Sequence, residues 1–137
     1  MKIKGIFAAS MSVFNEDLSL DIDSTIKHSE KIIENGCHGV VIFGSTGQAQ
    51  LISSIEKKKL IEKLNSSKFK DHFIIGTGEN SLKENIEIMK HSINNGKDQF
   101  LLMPPAYYKY GDDGVYSFYA NVVQQVPESK IILYNFQ

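Results

Sequence analysis

The chain alternates short apolar runs with longer amphipathic stretches along its whole length. Each apolar run is almost continuously hydrophobic, which is typical of a parallel strand covered on both faces. The stretches between them carry apolar residues at helical spacing. The alternation therefore predicts a parallel α/β sheet, either an open doubly wound sheet or a (β/α) barrel. The predicted strands are residues 3–9, 39–43, 73–76, 99–103 and 130–134, with a helix after each of the first four and the fourth helix over 112–125.

Capping residues mark where the predicted helices begin. Asp21 precedes the first amphipathic stretch and is a typical N-cap, because its carboxylate accepts a hydrogen bond from a free amide of the first turn. Ser53 and Glu56 have the spacing of a capping box, and Ser81 and Glu84 repeat it. These positions fix the starts of three helices.

The length of the chain limits which architecture it can complete. Its 137 residues and 42% hydrophobic content suffice for the core of one ordinary domain. A complete eight-stranded (β/α) barrel needs roughly 250 residues, so this chain would supply about half of one. If the sheet is a barrel rather than an open sheet, we therefore expect four βα units and a fifth strand of an incomplete TIM-type barrel.

Charge and composition exclude several classes of partner. The formal net charge is -1, and no basic stripe indicates binding to a nucleic acid or to an anionic membrane surface. We expect neither a signal peptide nor a membrane span, because no long apolar segment follows the two lysines near the start. The single cysteine, Cys37, excludes an internal disulfide and suits a reducing compartment, so the expected location is the cytoplasm.

The loop after the second predicted strand reads Gly-Ser-Thr-Gly over residues 44–47. Its glycines let backbone amides approach a ligand, and Ser45 and Thr46 add hydroxyl groups beside them. An anionic group such as a carboxylate is the expected ligand of such a loop, although a tight βα turn explains the same residues equally well. No Lys-Ser/Thr pair follows, so the loop is not a phosphate-binding P-loop. A second loop of this character, Gly-Thr-Gly, covers residues 76–78.

Tyrosines follow the last two predicted strands. Tyr107, Tyr108 and Tyr110 come after a double proline, and Tyr134 closes the fifth strand. A phenol can act as a proton relay if its hydroxyl reaches the site, whereas aromatic clusters more often pack against each other. A core tyrosine with one satisfied hydrogen bond is the alternative for Tyr134.

The lysines and histidines give no sign of a covalent or metal centre. Most lysines fall on predicted helix faces, where we expect solvated charges. Lys109 alone falls on the ligand-binding face, and an exposed loop does not lower the pKa of a lysine as Schiff-base chemistry requires. The four histidines lack metal-ligand spacing. We expect no metal and no cofactor.

Four loops, in order along the chain, resemble motifs of the dihydrodipicolinate synthase and N-acetylneuraminate lyase family of pyruvate-dependent class I aldolases. They are G-S-T-G at 44–47, G-T-G at 76–78, P-A-Y at 105–107 and L-Y-N at 133–135. The resemblance covers the whole chain and implies that residues 1–137 form the N-terminal part of a single (β/α)8-barrel domain. Gln48 and Gln137 stand where the family commonly has glutamate and proline, which weakens any inference about a specific substrate.

The resemblance assigns the binding of the substrate carboxylate to the loop after the second strand. Thr46, helped by its backbone amide, would hold the carboxylate of pyruvate or a related 2-oxo acid. Gly44 and Gly47 would complete the binding loop. Serine at position 45 is more similar to the lyase branch of the family than to the synthase branch, which favours threonine there.

The resemblance also implies a proton relay. Ser45 would join Tyr134 and a tyrosine contributed across a dimer interface, and Tyr134 would move protons to and from a Schiff base. An ungapped alignment makes the interface tyrosine Tyr107, with Tyr108 as the alternative if the register slips.

The family's Schiff-base lysine lies on a sixth strand, which we expect this chain to lack. The predicted function is therefore a truncated lyase or aldolase that, by itself, is inactive in making or breaking a carbon–carbon bond. The alternatives are a non-catalytic half-barrel, which binds a small carboxylate or serves as an assembly unit, and an independent open α/β domain. Unpaired strand edges predict self-association into a dimer or tetramer.

Overall fold

Five strands form one parallel sheet in the computed structural model, which describes residues 3–135. Their order in the sheet is β1-β2-β3-β4-β5, the same as their order in the chain, and every neighbouring pair is parallel. This sequential order is that of a TIM-type barrel rather than a doubly wound sheet. The strands are β1 (Phe7–Ala9), β2 (Gly39–Ile42), β3 (Phe73–Gly76), β4 (Gln99–Leu102) and β5 (Lys130–Leu133).

A helix connects each strand to the next. The prediction of four βα units and a fifth strand of an incomplete barrel is therefore confirmed. None of the helices in the described part of the chain is long and apolar enough to cross a membrane. The helices are α1 (Ile22–Glu34), α2 (Ser54–Lys63), α3 (Leu82–Asn94) and α4 (Asp112–Gln125), with short 3₁₀ turns at Ala49–Leu51, Leu64–Ser66 and Lys70–His72.

The predicted helix starts are confirmed by the capping hydrogen bonds. Asp21 Oδ1 accepts from the N–H of Ser24 at 2.9 Å. Ser53 and Glu56 form the reciprocal capping box of α2. Ser81 caps α3 by accepting from the N–H of Glu84.

Four of the five strands are shorter than predicted, β3 has the predicted bounds, and positive φ angles explain the differences at β1 and β2. β1 begins at Phe7 rather than at residue 3, because Gly5 has a φ of 115°, which a strand does not adopt. β2 ends at Ile42 because the next residue, Phe43, has a φ of 57°. β4 and β5 each end one residue earlier than predicted.

The two faces of the sheet have different neighbours. In β4, Phe100 and Leu102 are fully buried in the core that the helices cover, whereas Gln99 and Leu101 alternate with them and are only partly buried. Tyr119 of α4 donates its hydroxyl to the carbonyl of Leu102 at 2.9 Å and so fixes this helix to the end of β4. The opposite, inner face of the sheet leads to the cavity described below.

β1 and β5 are the two edges of the sheet. Within residues 3–135, β1 pairs only with β2 and β5 pairs only with β4, so the described sheet does not close on itself. Each edge therefore presents backbone groups that a closed barrel would pair.

Candidate functional site

A cavity of about 330 Å³ lies at the carboxyl edge of the sheet. The loops after β2, β3 and β4 and the end of β5 form its walls, which is the position where parallel α/β proteins bind ligands. Polar and apolar side chains both reach it. Its lining consists of Phe43, Gly44, Ser45, Gln48, Ala49, Gln50, Leu51, Gly78, Leu101, Met103, Ala106 and Tyr134.

The loop after β2 is held in a fixed and locally strained shape. Phe43 is 1% exposed although its φ of 57° is unusual for a bulky residue, so the surrounding packing holds the strained conformation. The N–H of Gln48 donates to the carbonyl of Ser45 at 3.0 Å and closes a tight turn. Behind the turn, Ser12 Oγ donates to the carbonyl of Gly47 at 2.6 Å. The loop is thus anchored at both ends.

This loop presents polar groups that can receive an anion. Ser45 and Thr46 are exposed, and the space next to Gly44 is open, since an added Cβ there meets no atom within 4 Å. Within residues 3–135, no protein acceptor pairs with the backbone N–H of Thr46 or Gly47. The loop therefore holds two amides without a protein acceptor in the described residues and two hydroxyls on exposed residues, which are donors of the kind that a carboxylate accepts from.

Ser45 and Tyr134 meet across the mouth of the cavity. The Ser45 Oγ lies 3.3 Å from the Tyr134 hydroxyl, and either oxygen can be the donor. Tyr134 is only partly exposed, and its backbone N–H donates to the carbonyl of Leu102 at 2.9 Å, which extends the β4–β5 pairing. The two hydroxyls predicted to form a relay are thus neighbours in the structure.

Two glycines, one at the end of β3 and one just after it, let this strand approach the loop after β2. A Cβ on Gly76 would lie 2.4 Å from the carbonyl oxygen of Phe43. Gly78 has a φ of 63°, and a Cβ there would lie 2.2 Å from the side chain of Ala49. Side chains at these positions would collide with the cavity wall, which explains the Gly-Thr-Gly motif physically.

Three of the predicted site residues line the cavity in the described part of the chain, and three others do not. Gly44, Ser45 and Tyr134 line the cavity. Among the described residues, the lining does not include Thr46, Gly47 or Tyr107.

The tyrosines after β4 point away from the packed part of the chain. Tyr107 is 83% exposed and Tyr108 is 68% exposed, and their rings meet edge to face with centroids 5.1 Å apart. Ala106, just before them, donates its N–H to Asn80 Oδ1 at 2.8 Å. The role of Tyr107 or Tyr108 at an interface remains a prediction.

The expectation that the helix lysines are solvated is wrong for Lys57, and Lys97, just after α3, is buried as well. Lys57 is 0% exposed and Lys97 is 6% exposed, and burial lowers the pKa of both ammonium groups. Helical spacing gives a signal for Lys57, because Leu60 and Ile61 follow it at i+3 and i+4 on the apolar face of α2. Lys109 is exposed, as predicted.

No metal-binding cluster is evident in the described residues. Residues 3–135 contain no group of three histidine, cysteine, aspartate or glutamate side chains close enough to hold a metal ion.

Fold and site together define a class of protein. The chain is a parallel (β/α)-barrel protein whose ligand cavity lies at the carboxyl edge of the sheet, between a Gly-Ser-Thr-Gly loop and a tyrosine at the end of β5. Residues 2–137 match the sequence model of the Dihydrodipicolinate synthetase family, and the chain belongs to that family.

Relatives of known sequence agree with this assignment. The chain is 33% identical over 133 residues to the 4-hydroxy-tetrahydrodipicolinate synthase of Rhizobium meliloti, covering 96% of this chain and 45% of the relative. It is 31% identical over 141 residues to the L-threo-3-deoxy-hexylosonate aldolase of Aspergillus niger, covering 96% and 42%. The chain therefore spans less than half the length of these relatives.

A solved structure agrees as well. The dihydrodipicolinate synthase of Acinetobacter baumannii, crystallised with pyruvate, superposes with a TM-score of 0.87 at 34% identity. The similarity covers 98% of this chain and 46% of that one.

Proposed function

We propose that this chain supplies the carboxylate-binding loop and the hydroxyl relay of a lyase or aldolase that acts on pyruvate or a related 2-oxo acid through a Schiff base. The observation that carries the proposal is the meeting of Ser45 and Tyr134 at 3.3 Å on the wall of the cavity. Membership of the family supports it, since the named relatives include a synthase and an aldolase and one solved relative holds pyruvate.

The loop after β2 binds the carboxylate in this proposal. Its two oxygens accept hydrogen bonds from the Thr46 hydroxyl and from the backbone N–H groups of Thr46 and Gly47. Such bonds favour the ionised ligand, because hydrogen bonds to an ionised acceptor are stronger than those between neutral groups. Gly44 leaves room for the ligand, since nothing lies within 4 Å of an added Cβ.

The hydroxyl relay moves protons near the 2-oxo carbon. A phenol beside a second hydroxyl can give up a proton and recover it, which general acid–base catalysis requires when a Schiff base forms and breaks. Tyr134 acts on the substrate, and Ser45 passes the proton on. The exposed Tyr107, or Tyr108 beside it, completes the relay of a second copy of the chain.

The Schiff-base lysine comes from outside these 137 residues in this proposal, so the chain is the N-terminal part of one barrel domain and is inactive alone. No residue that lines the cavity in the described part of the chain is a lysine. Lys57 is committed elsewhere, since its Nζ donates to the carbonyl of Thr77 at 2.8 Å and pairs with Glu79 at 2.5 Å.

Self-association completes the proposal. Tyr107 and Tyr108 are strongly exposed, Leu51 at the cavity is 75% exposed, and the edges β1 and β5 are open within the described residues. A second copy of the chain covers these side chains and edges, which gives a dimer or tetramer.

The proposed location is the reducing cytoplasm.

Borohydride trapping tests the covalent part of the proposal. The purified chain is incubated with pyruvate and sodium borohydride and its intact mass is measured. We expect no added mass, and we expect pyruvate to raise the Tm of the same sample, because a ligand that binds only the folded state stabilises it.

Each other result leads to a definite conclusion. A reduced pyruvate adduct on a lysine of this chain contradicts the proposed origin of the Schiff-base lysine. A Tm that does not change at any pyruvate concentration contradicts carboxylate binding and leaves the role of an assembly unit.

A further inference from the structure

A fully buried lysine lies beneath the loop that follows β3. Lys57, on α2, is 0% exposed, and its Nζ donates to the backbone carbonyl of Thr77 at 2.8 Å and to Glu79 Oε1 at 2.5 Å. Glu79 is 21% exposed at its side chain, so one end of this ion pair is in the interior and the other is near solvent. A helix residue thus holds two residues of one loop.

A second buried side chain holds the same loop from the next helix. Asn85, on α3, is 0% exposed, and its Nδ2 donates to the carbonyl of Glu79 at 3.0 Å and to the carbonyl of Ser81 at 2.9 Å. The loop after β3 is therefore fixed from two helices, by side chains that are both removed from water.

The loop fixed in this way supports the next loop along the sheet. Asn80 follows Glu79 directly, and its Oδ1 accepts from the N–H of Ala106 at 2.8 Å. Ala106 lines the cavity and immediately precedes Tyr107. A continuous path of contacts thus leads from Lys57, through Glu79 and Asn80, to the segment that carries the exposed tyrosines.

Stability alone is a poor explanation for the buried ion pair. Removing a lysine ammonium from water carries a large desolvation cost, and replacing a buried ion pair by apolar side chains is often neutral or stabilising. Leu60 and Ile61 beside Lys57 on α2 are both 0% exposed, so an apolar side chain would suit the position. Unlike an apolar side chain, the ammonium group fixes the position of the loop, because it binds one particular carbonyl and one particular carboxylate.

We infer that Lys57 is a positioning residue, whose contacts with Thr77 and Glu79 set the place of Asn80 and thereby order the segment at Ala106 and Tyr107. The contact path stands on the geometry alone. Its importance for catalysis rests on the proposed function, in which Tyr107 or Tyr108 serves the site of a second copy.

Amide hydrogen exchange of the ¹⁵N-labelled chain tests this inference without any ligand. Lys57→Met removes the ammonium and keeps an unbranched side chain of similar length. Lys97→Met is the matched control, because Lys97 is also buried but bonds to Asn65 at 2.9 Å, in the connection after α2. Asn80→Ala removes the acceptor of the Ala106 N–H directly.

We expect Lys57→Met and Asn80→Ala each to speed exchange at Ala106 by about tenfold, which corresponds to about 1.4 kcal/mol, the scale of one lost hydrogen bond. The amide of Ile75, within β3, serves as the reference for global unfolding. After correction for any change in global stability, the exchange rate of Ile75 should differ from the wild-type rate by less than threefold. Lys97→Met should leave the exchange rate of the Ala106 amide unchanged.

Two results would overturn the inference. One is an Ala106 amide that exchanges at the wild-type rate in Lys57→Met while Asn80→Ala speeds it. The other is an equal acceleration in Lys97→Met, which would mean that general destabilisation is responsible.

If Lys57→Met does not fold, the double variant Lys57→Met/Glu79→Leu, which also removes the carboxylate left without its ion-pair partner, takes its place with the same expectation. Because pyruvate is absent from the assay, failure of the proposed function leaves this result unaffected, and the reverse also holds.

Discussion

The Ser45 Oγ lies 3.3 Å from the hydroxyl of Tyr134, although the two residues are 89 positions apart in the chain. The loop after β2 carries one of them and the end of β5 carries the other, so two intervening strands must curve to bring them together. Curvature of this kind belongs to a barrel wall rather than to a flat sheet. The pair is therefore a direct sign of the barrel fold, and both of its residues line the candidate site.

The hydroxyls of this pair should matter for chemistry and little for stability. Ser45 is exposed and the hydroxyl–hydroxyl distance is long, so Ser45→Ala and Tyr134→Phe should each lower the free energy of unfolding by less than about 1 kcal/mol. Urea denaturation measures this, with Ser66→Ala as a hydroxyl-deletion control, because Ser66 is exposed and its Oγ donates to the carbonyl of Lys63 at 2.7 Å, away from the cavity lining. A loss above about 2 kcal/mol in either variant would identify the pair as structural.

Two glycine substitutions should separate packing from ligand access. Gly76→Ala places a Cβ 2.4 Å from the Phe43 carbonyl oxygen and should destabilise the chain by about 1–3 kcal/mol. Gly44→Ala meets no atom within 4 Å and should change stability by less than about 0.5 kcal/mol, yet weaken pyruvate binding because Gly44 lines the cavity. Thermal unfolding with and without pyruvate distinguishes them. Equal Tm values for the two variants would contradict this reading of the cavity wall.

Lowering the pH should reduce the free energy of unfolding, partly because Glu56 becomes protonated. The Ser53 hydroxyl and the Leu20 N–H donate to this carboxylate and hold its pKa below the usual value. A folded-state pKa below the unfolded one, about 4.3, gives stability that is present above that pH and is lost as the pH falls through the folded value. Urea midpoints between pH 3 and 7 should therefore vary less in Glu56→Gln than in wild type. Glu128→Gln, at an exposed carboxyl, should keep the wild-type pH dependence.

The open edges of the sheet and the exposed apolar side chains of Tyr107, Tyr108 and Leu51 should make the chain associate. Sedimentation velocity should show a dimer or tetramer that dissociates on dilution, and Leu51→Ser should weaken it because Leu51 is 75% exposed beside the cavity. Leu18→Ser is the control, since Leu18 is 79% exposed in a loop before α1. A single monomeric species at all concentrations would refute the proposed self-association.

Sequence reasoning predicted the sheet and its helices well because these depend on local patterns. Apolar runs and capping residues act over a few neighbours, so the capping box at Ser53 and Glu56 and the start of α4 at Asp112 could be placed correctly. The strand ends were less accurate. The φ of 57° at Phe43 is imposed by packing around the loop, and no local propensity of phenylalanine indicates it.

The sequence motifs singled out Ser45 and Tyr134, which are neighbours at the cavity, but gave no sign of the side chains that hold the loops in place. Lys57 was expected in water because lysine usually is, and its burial depends on Glu79 and Thr77, which lie 22 and 20 residues later. The hydrogen bond between Asn80 and Ala106 is equally long-range. Contacts of this kind depend on the assembled sheet, so one sequence alone does not specify them.

Binding of a 2-oxo acid at the loop after β2 is the central claim, and an NMR titration tests it most directly. Pyruvate is added to the ¹⁵N-labelled chain while the amide signals of Gly44, Ser45, Thr46 and Gly47 are followed. Acetone, which keeps the carbonyl and lacks the carboxylate, is the matched ligand control. The account predicts saturable shifts of these four amides with pyruvate, none with acetone, and weaker binding in Thr46→Val. Pyruvate that leaves these amides unmoved, or acetone that shifts them equally, would contradict it.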